Sequence, residues 1–154
     1  MLTLIYISVS NIILDSMTII GYRIDTIHVE RKEGRRNAKI NINSTVSLKN
    51  VVEDKIQQPA KTSMLKISFE FASVYEPSLG EVRIEGEVYY TGKNIKNELK
   101  KWRKDKKFSS DVDAEIRNFL LRKGLVLATT LSDIVQLPPP VPMPVIRPKT
   151  KKSS

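Results

Sequence analysis

Lysines and arginines are the residues of this 154-residue chain whose number and spacing most clearly indicate a function. The densest run is KNIKNELKKWRKDKKF, residues 93–108, where two acids, Glu98 and Asp105, accompany the basic side chains. The basic members of the run are Lys93, Lys96, Lys100, Lys101, Arg103, Lys104, Lys106 and Lys107. The whole chain has 26 Lys and Arg against 17 Asp and Glu, a net charge of +9. This excess favours a polyanionic partner, nucleic acid or an anionic membrane surface, over a merely solvated surface.

Residues suited to catalysis or metal binding are sparse. The chain has no cysteine, which excludes disulfides and thiolate chemistry and fits a reducing cytoplasm. His28 is the one histidine and is expected to be a packed or edge residue of a strand, so no zinc site is predicted. Glu85 and Glu87 share a strand face, and we expect them to pair with basic residues across the strands. We therefore predict no catalytic residues, no metal and no cofactor, and a protein that is not an enzyme.

The basic run must be carried by a short helix. Ile95, Leu99 and Trp102 recur at helical spacing, which predicts an amphipathic helix over 94–104 with its cations facing outward. Further nucleic-acid contacts are expected from Arg31, Lys32, Arg35 and Arg36 in segment 31–37, and from Lys149, Lys151 and Lys152 in the tail. No aromatic stack of the kind that binds single strands interleaves these charges, so contacts should be to backbone phosphates rather than to base sequence.

Four runs of alternating apolar and polar residues precede this helix and predict β-strands. The first run, 19–29, changes phase near Asp25 and Thr26, which indicates a bulge. The segment 31–37 is expected to form a charged hairpin tip before the second run, 38–49. A looser polar stretch, 50–63, separates it from the third run at 65–71, and 75–81 forms a turn before the fourth run at 82–90. The pattern predicts an antiparallel meander with one apolar and one solvated face.

A long helix is predicted over 111–134. Ser110 is its expected N-cap, with Asp113 as the capping-box partner. Gly124 weakens the middle of the helix and would allow another backbone to pack closely against it. The residues expected on its inner side are Ile116, Phe119, Leu120, Leu127 and Leu131.

The C-terminal region is rich in proline. Six of the eight prolines lie within 131–149, and Pro138, Pro139, Pro140, Pro142 and Pro144 favour polyproline II geometry. Val141, Met143 and Val145 make one side of this ribbon apolar. We interpret it as a structural strap on the core or on a neighbouring subunit; an exposed ligand for an aromatic groove is the alternative.

These elements predict a single domain over 17–148 followed by a basic disordered tail at 149–154. The residues before it, 1–16, are apolar but shorter than a membrane span and lack a signal-peptide cleavage site. Three interpretations of these residues remain: a start codon assigned too early, an additional strand or loose arm, and a membrane anchor. The overall prediction is a cytoplasmic protein without membrane partners.

The order of elements resembles the SecB-like fold, known from the bacterial export chaperone and found also in archaea. The residues that carry the resemblance are the hairpin 65–90, the basic helix with Trp102 and the segment VQLPPPVPMPVIRP at 135–148. The resemblance implies an α+β fold, with a four-stranded antiparallel sheet followed by a short helix, a long helix and a C-terminal strap. It also implies a homo-oligomer that binds unfolded or nascent polypeptides. The bacterial proteins are acidic, whereas this chain is strongly basic.

Two functions are therefore expected from different classes. The charge predicts a non-enzymatic, ribosome-associated protein that contacts ribosomal RNA through the basic helix, the hairpin tip and the tail. As the homodimer that the resemblance implies, it would bridge two surfaces. The resemblance implies a holdase chaperone, which would need an exposed apolar surface of several hundred Å².

Overall fold

The computed structural model describes residues 19–34, 39–56, 62–92 and 94–149. Its elements are β1 (Ile19–Arg31), β2 (Asn41–Ile56), β3 (Thr62–Glu76), β4 (Gly80–Tyr90), α1 (Ile95–Asp105) and α2 (Ser110–Ile134). The predicted α+β class and the order of strands and helices are confirmed. The expected N-terminal extension at 1–16 and the last five residues of the expected tail lie outside the described residues.

The sheet is antiparallel throughout, with strand order β1-β4-β3-β2. Strands β2, β3 and β4 form successive hairpins, and β1 joins at the edge of β4. The expected hairpin between β1 and β2 is therefore wrong, because these strands are the two outer strands of the described sheet. Pairing with β4 places Val29 opposite Val82 and Ile27 opposite Ile84, which extends an apolar row of the sheet.

Two irregularities set which side chains face the helices. The register of β1 shifts between Ile24 and Thr26, which confirms the predicted bulge. Strand β2 continues beyond the predicted second run, into the looser polar stretch as far as Ile56. A register shift between Leu48 and Asn50 accounts for this, since it brings Val51 to the buried face, where it is 7% exposed.

The core between sheet and helices has two clusters at opposite ends of the sheet. One contains the ends of β3 and β4 at Leu65 and Tyr90, and α1 packs on it. The other contains Tyr75 and Val82, and it receives Leu137 from the segment after α2. Helix α2 contributes to both clusters, so it spans the sheet and connects the region of α1 to the start of the proline-rich segment.

Helix α2 meets the sheet along a narrow line of residues spaced by four. This buried line consists of Ile116, Leu120, Gly124, Ala128 and Ser132. The expected inner residues Phe119, Leu127 and Leu131 are only half-buried, because the small residues of the line allow the helix to lie close to the sheet. A Cβ atom at Gly124 would overlap the Phe71 ring, so the close neighbour is a side chain and not the expected backbone.

The N-terminus of α2 differs from the predicted capping box. Ser109, not Ser110, occupies the cap position, and no side-chain capping bond forms. The Ser109 backbone N–H donates to Glu98 Oε2 at 2.9 Å, and its hydroxyl donates to Glu98 Oε1 at 2.7 Å. Asp113 instead accepts a 2.8 Å hydrogen bond from Arg117. The predicted cap is wrong because a carboxylate from α1 satisfies the donors at this junction.

Candidate nucleic-acid interface

Helix α1 is fixed to the core by its apolar side. Ile95, Leu99 and Trp102 are 5%, 4% and 4% exposed, and the Trp102 ring stacks on Phe108 with 5.1 Å between centroids. The helix ends where Lys106 adopts a left-handed conformation and donates its N–H to the Trp102 carbonyl. Because these contacts define which side of α1 is buried, its basic side chains must point to solvent.

The outer side of α1 and the two residues after it form a surface that we name the basic ridge. Its members are Lys96, Lys100, Lys101, Arg103, Lys104, Lys106 and Lys107, and all are exposed. Lys96, Lys100 and Lys104 recur every four residues, so they follow one line of the helix at steps of about 6 Å along its axis. Lys93 belongs to the same basic run but lies outside the described residues.

One of the two acids of the basic run does not share the exposed face of the ridge. Glu98, one of its two acids, is 6% exposed and is turned inward to Ser109. Within the described part of the chain, Lys101 is the ridge residue with an ion pair, at 4.0 Å from Glu98. The second acid, Asp105, helps Lys101 and Lys107 to line a shallow depression of about 550 Å³. Sequence reasoning counted Glu98 on the ridge, because tertiary contacts that turn a helical carboxylate inward leave no mark on periodicity.

The other predicted basic contacts lie away from the ridge. Arg31 pairs with Gly80 at the start of β4, whereas α1 packs near Tyr90 at its end. The length of β4 between them is about 33 Å at the usual rise of a strand. Arg35, Arg36, Lys151 and Lys152 lie outside the described residues, and Lys149 is exposed.

Arg31 also has partners within the fold. Its guanidinium Nη1 donates to the carbonyl oxygen of Gln136 at 2.6 Å and lies 3.3 Å from that of Val135. The Lys32 ammonium lies 3.9 Å from Glu30. The structure therefore places Arg31 at the C-terminal end of α2, where a cation satisfies otherwise unpaired carbonyl groups.

The proline-rich segment divides into two parts. Leu137 is 4% exposed, and the Tyr75 hydroxyl donates to the Pro138 carbonyl at 2.7 Å. Residues 138–141 are half-buried, whereas those from Pro142 to Lys149 are exposed. Met143, Val145 and Ile146 are 55%, 80% and 97% exposed. The first part thus packs on the core, and the second part, which includes Pro142 and Pro144, presents its apolar side chains to solvent.

The sheet face opposite the helices is polar and carries cross-strand ion pairs. Arg83 contacts Glu70 at 2.7 Å and Glu81 at 2.9 Å, and hydrogen bonds to these carboxylates raise the pKa of Arg83. The Lys66 ammonium lies 3.0 Å from Asp54, a contact that lowers the pKa of Asp54 and raises that of Lys66.

The two carboxylates singled out on β4 lie on this face. Glu87 lies 3.5 Å from Arg23 on β1, which is the cross-strand pairing expected from the sequence. Glu85 is exposed, at the rim of a shallow depression that Asp25, Lys49 and Glu70 also line. The arrangement is a network of surface ion pairs, of the kind that contributes little to stability individually.

None of the helices in the described ranges is long and apolar enough to cross a membrane. Comparisons of the chain with protein-family models, with curated proteins and with solved structures found no match. The SecB-like resemblance therefore stays a prediction.

Proposed function

We propose that the protein is a non-enzymatic, ribosome-associated factor that binds the phosphate backbone of ribosomal RNA through the basic ridge. One observation carries the proposal. Seven exposed cations lie on α1 and the two residues after it, and one of the two acids among them, Glu98, is buried against Ser109, which leaves Asp105 as the exposed acid. The surface therefore offers a dense row of positive charge on a helix that is itself firmly packed.

The energetics of this row favour a polyanion. Each pair of like charges spaced by four residues destabilises a helix by about 0.2–0.5 kcal/mol. Lys96 with Lys100 and Lys100 with Lys104 are such pairs. Phosphates that neutralise them remove this repulsion and release condensed counterions into solution, which favours association at low salt. A partner of high phosphate density gains most from a ridge of this kind.

The aromatic residues of the ridge region indicate the type of contact. Trp102 and Phe108 are 4% and 6% exposed, so their faces are covered by the core rather than offered to bases. Single-strand readers need exposed rings on which bases stack. Contacts of the ridge are therefore expected with phosphates and overall RNA shape, as in recognition of folded ribosomal RNA. A homo-oligomer, which the resemblance implies, would present two ridges and could bridge two RNA surfaces.

The proposal is tested by reversing charge on the ridge. The variant combines Lys100→Glu, Lys101→Glu, Arg103→Glu and Lys104→Glu. The matched control combines Lys39→Glu, Lys49→Glu, Arg122→Glu and Arg147→Glu, which are exposed cations outside the ridge and change the net charge equally. Fluorescence anisotropy with a labelled ribosomal RNA fragment should show loss of binding for the ridge variant alone, with both variants folded by circular dichroism.

Sedimentation then connects RNA binding to the ribosome. In a sucrose gradient of native lysate, the protein should migrate with a ribosomal subunit at low salt and remain at the top at high salt. Equal RNA affinity of the ridge variant and the wild type would contradict the proposal. So would a wild-type protein that stays at the top of the gradient at both salt concentrations.

One observation favours the chaperone as a second candidate. Met143, Val145 and Ile146 are exposed on one segment, and Val126 and Ile134 of α2 are 69% and 72% exposed. Exposed apolar side chains of this kind are what a holdase needs for unfolded clients. If they bind clients, the wild type should suppress aggregation of a denatured test protein, and Met143→Ser with Val145→Ser and Ile146→Ser should not. Equal suppression by both would exclude this segment as the client surface.

A further inference from the structure

One cluster on the outer sheet face combines nitrogen and oxygen ligands. His28 and Glu30 lie two residues apart on β1, and Glu81 lies directly opposite Glu30 on β4. One ligand atom from each of these side chains falls within 4.8 Å of the others. His28 Nε2 lies 3.5 Å from Glu30 Oε2 and 3.8 Å from Glu81 Oε1. The three groups therefore converge on a common point in front of the sheet.

These separations fit a tetrahedral metal. Zinc binds histidine nitrogen and carboxylate oxygen at about 2.0–2.2 Å, so two ligands of a regular tetrahedron lie roughly 3.4 Å apart. The two distances from His28 Nε2 exceed this value by only a few tenths of an ångström. His28 is exposed and the two glutamates are partly exposed, so rotation of the side chains can close that difference.

The carboxylate of Glu81 is already oriented for such a role. Its Oε2 accepts a 2.9 Å hydrogen bond from Arg83, and its Oε1 lies toward His28. Arg83 is in turn held by Glu70 at 2.7 Å. Outer partners of this kind fix the direction of a ligating carboxylate and support metal affinity.

Charge repulsion supplies a driving force for a cation. Like charges directly opposite each other across two strands destabilise the pairing, and Glu30 and Glu81 are such a pair. Arg83 compensates the charge of Glu81 at close range, whereas Lys32 is 3.9 Å from Glu30 and compensates its charge less well. Part of the repulsion between the two carboxylates therefore remains. A divalent ion between the carboxylates would remove it and would also connect β1 to β4.

We propose that His28, Glu30 and Glu81 form a binding site for a divalent transition metal ion, with zinc as the best match. A neutral imidazole suits zinc, copper and nickel, whereas magnesium and calcium prefer sites made of oxygen alone. The three protein ligands leave a fourth position for water. This replaces the expectation of no metal site, which assumed that a single histidine excludes one. Glu81 joins the site through strand pairing, which sequence spacing does not reveal.

The single histidine makes the test direct. In protein prepared without a histidine tag, every imidazole signal in the proton–nitrogen NMR spectrum comes from His28. Titration with zinc chloride should shift or broaden these signals until one equivalent is bound, and magnesium chloride should leave them unchanged. Unchanged imidazole signals in zinc would overturn the proposal.

Variants establish which side chains hold the ion. His28→Asn, Glu30→Gln and Glu81→Gln should each weaken zinc binding in calorimetry by about tenfold or more. The matched control is Glu85→Gln, an exposed carboxylate of the same sheet face outside the cluster, which should bind zinc like the wild type. If His28→Asn binds zinc as tightly as the wild type, the ion lies elsewhere. If neither glutamate variant weakens binding, the histidine acts alone and the three-ligand site is wrong.

Discussion

The phenol oxygen of Tyr75 donates a 2.7 Å hydrogen bond to the carbonyl oxygen of Pro138, 63 positions later in the chain. Tyr75 is fully buried beside Leu137, in the core cluster at the end of the sheet that is remote from α1. The Arg31 guanidinium donates a hydrogen bond to the carbonyl oxygen of Gln136, the residue before Leu137. The segment after α2 is thus tied to both β1 and β3 before it reaches the exposed prolines.

Tyr75→Phe tests whether this bond stabilises the fold. The variant keeps the ring but leaves the Pro138 carbonyl without its donor, so the free energy of unfolding should fall by about 1 kcal/mol. Urea denaturation measures it. Tyr89→Phe is the control, since the Tyr89 hydroxyl donates a longer, 3.2 Å bond to Glu87 in a less buried position. Equal stability of Tyr75→Phe and the wild type would show that the contact is energetically neutral.

The same variant should change the response to alkaline pH. Burial raises the pKa of the Tyr75 phenol, and a hydrogen bond with Ser132 offsets part of that effect. The folded state therefore keeps its phenolic proton to higher pH than the unfolded state, whose pKa is about 10. Stability is full below that value and falls as pH rises through the folded pKa. Between pH 9 and 11 the wild type should lose more stability than Tyr75→Phe, and parallel losses would contradict this origin.

Two truncations separate the packed and exposed parts of the proline-rich segment. A chain that ends at Val141 loses only exposed side chains among the described residues, so its stability should stay within about 0.5 kcal/mol of the wild type. A chain that ends at Leu137 also loses the Pro138 carbonyl and three half-buried prolines, and its melting temperature should fall by several degrees. Calorimetry of both chains measures the difference. If the shorter chain melted like the longer one, the segment would be an exposed ligand rather than a strap.

Local patterns predicted the elements of this fold better than their arrangement. The change of phase at Asp25 and Thr26 marked a bulge, because side-chain alternation directly reports which way a strand faces. The neighbour of β1 could not be predicted, since a polar connecting segment does not specify whether the next strand pairs with it or crosses the sheet. The same limit applies to β2, where the register shift after Leu48 hides a continuing strand within a polar stretch.

For the candidate interface, too, the sequence predicted local structure but not the contacts between distant residues. Helical spacing of Ile95, Leu99 and Trp102 was sufficient to place the basic residues of α1 on its outer side. It could not reveal that Glu98 turns toward Ser109, because that contact depends on how the two helices meet. Nor could it show that Arg31 would be engaged by the end of α2, a contact between residues more than a hundred positions apart.

Gly124→Ala tests the close approach of α2 to the sheet. Alanine is the better helix former by about 1 kcal/mol, so at an exposed position the change would stabilise the protein. Here the added methyl group would overlap the Phe71 ring, and overpacking should lower the free energy of unfolding by about 1–3 kcal/mol. Urea denaturation of Gly124→Ala with and without Phe71→Leu measures the coupling, and the double variant should recover part of the loss. Thr130→Ala, at an exposed site of α2, is the control and should be near neutral. A stabilised Gly124→Ala would mean that helix propensity outweighs the contact with Phe71.

The salt dependence of RNA binding distinguishes a contact by the ridge alone from one that also uses the far end of the sheet. Each phosphate contact that is lost reduces the slope of log affinity against log salt by about 0.9 for duplex and about 0.7 for single-stranded nucleic acid. Lys104→Ala removes an exposed ridge cation and should lower the slope by roughly this amount. Lys32→Ala lies beyond the opposite end of β4 and should leave the slope unchanged. Anisotropy titrations over a range of potassium chloride concentrations measure both. If Lys32→Ala also lowered the slope, the RNA would have to extend along the length of the sheet, and the footprint would be larger than the ridge.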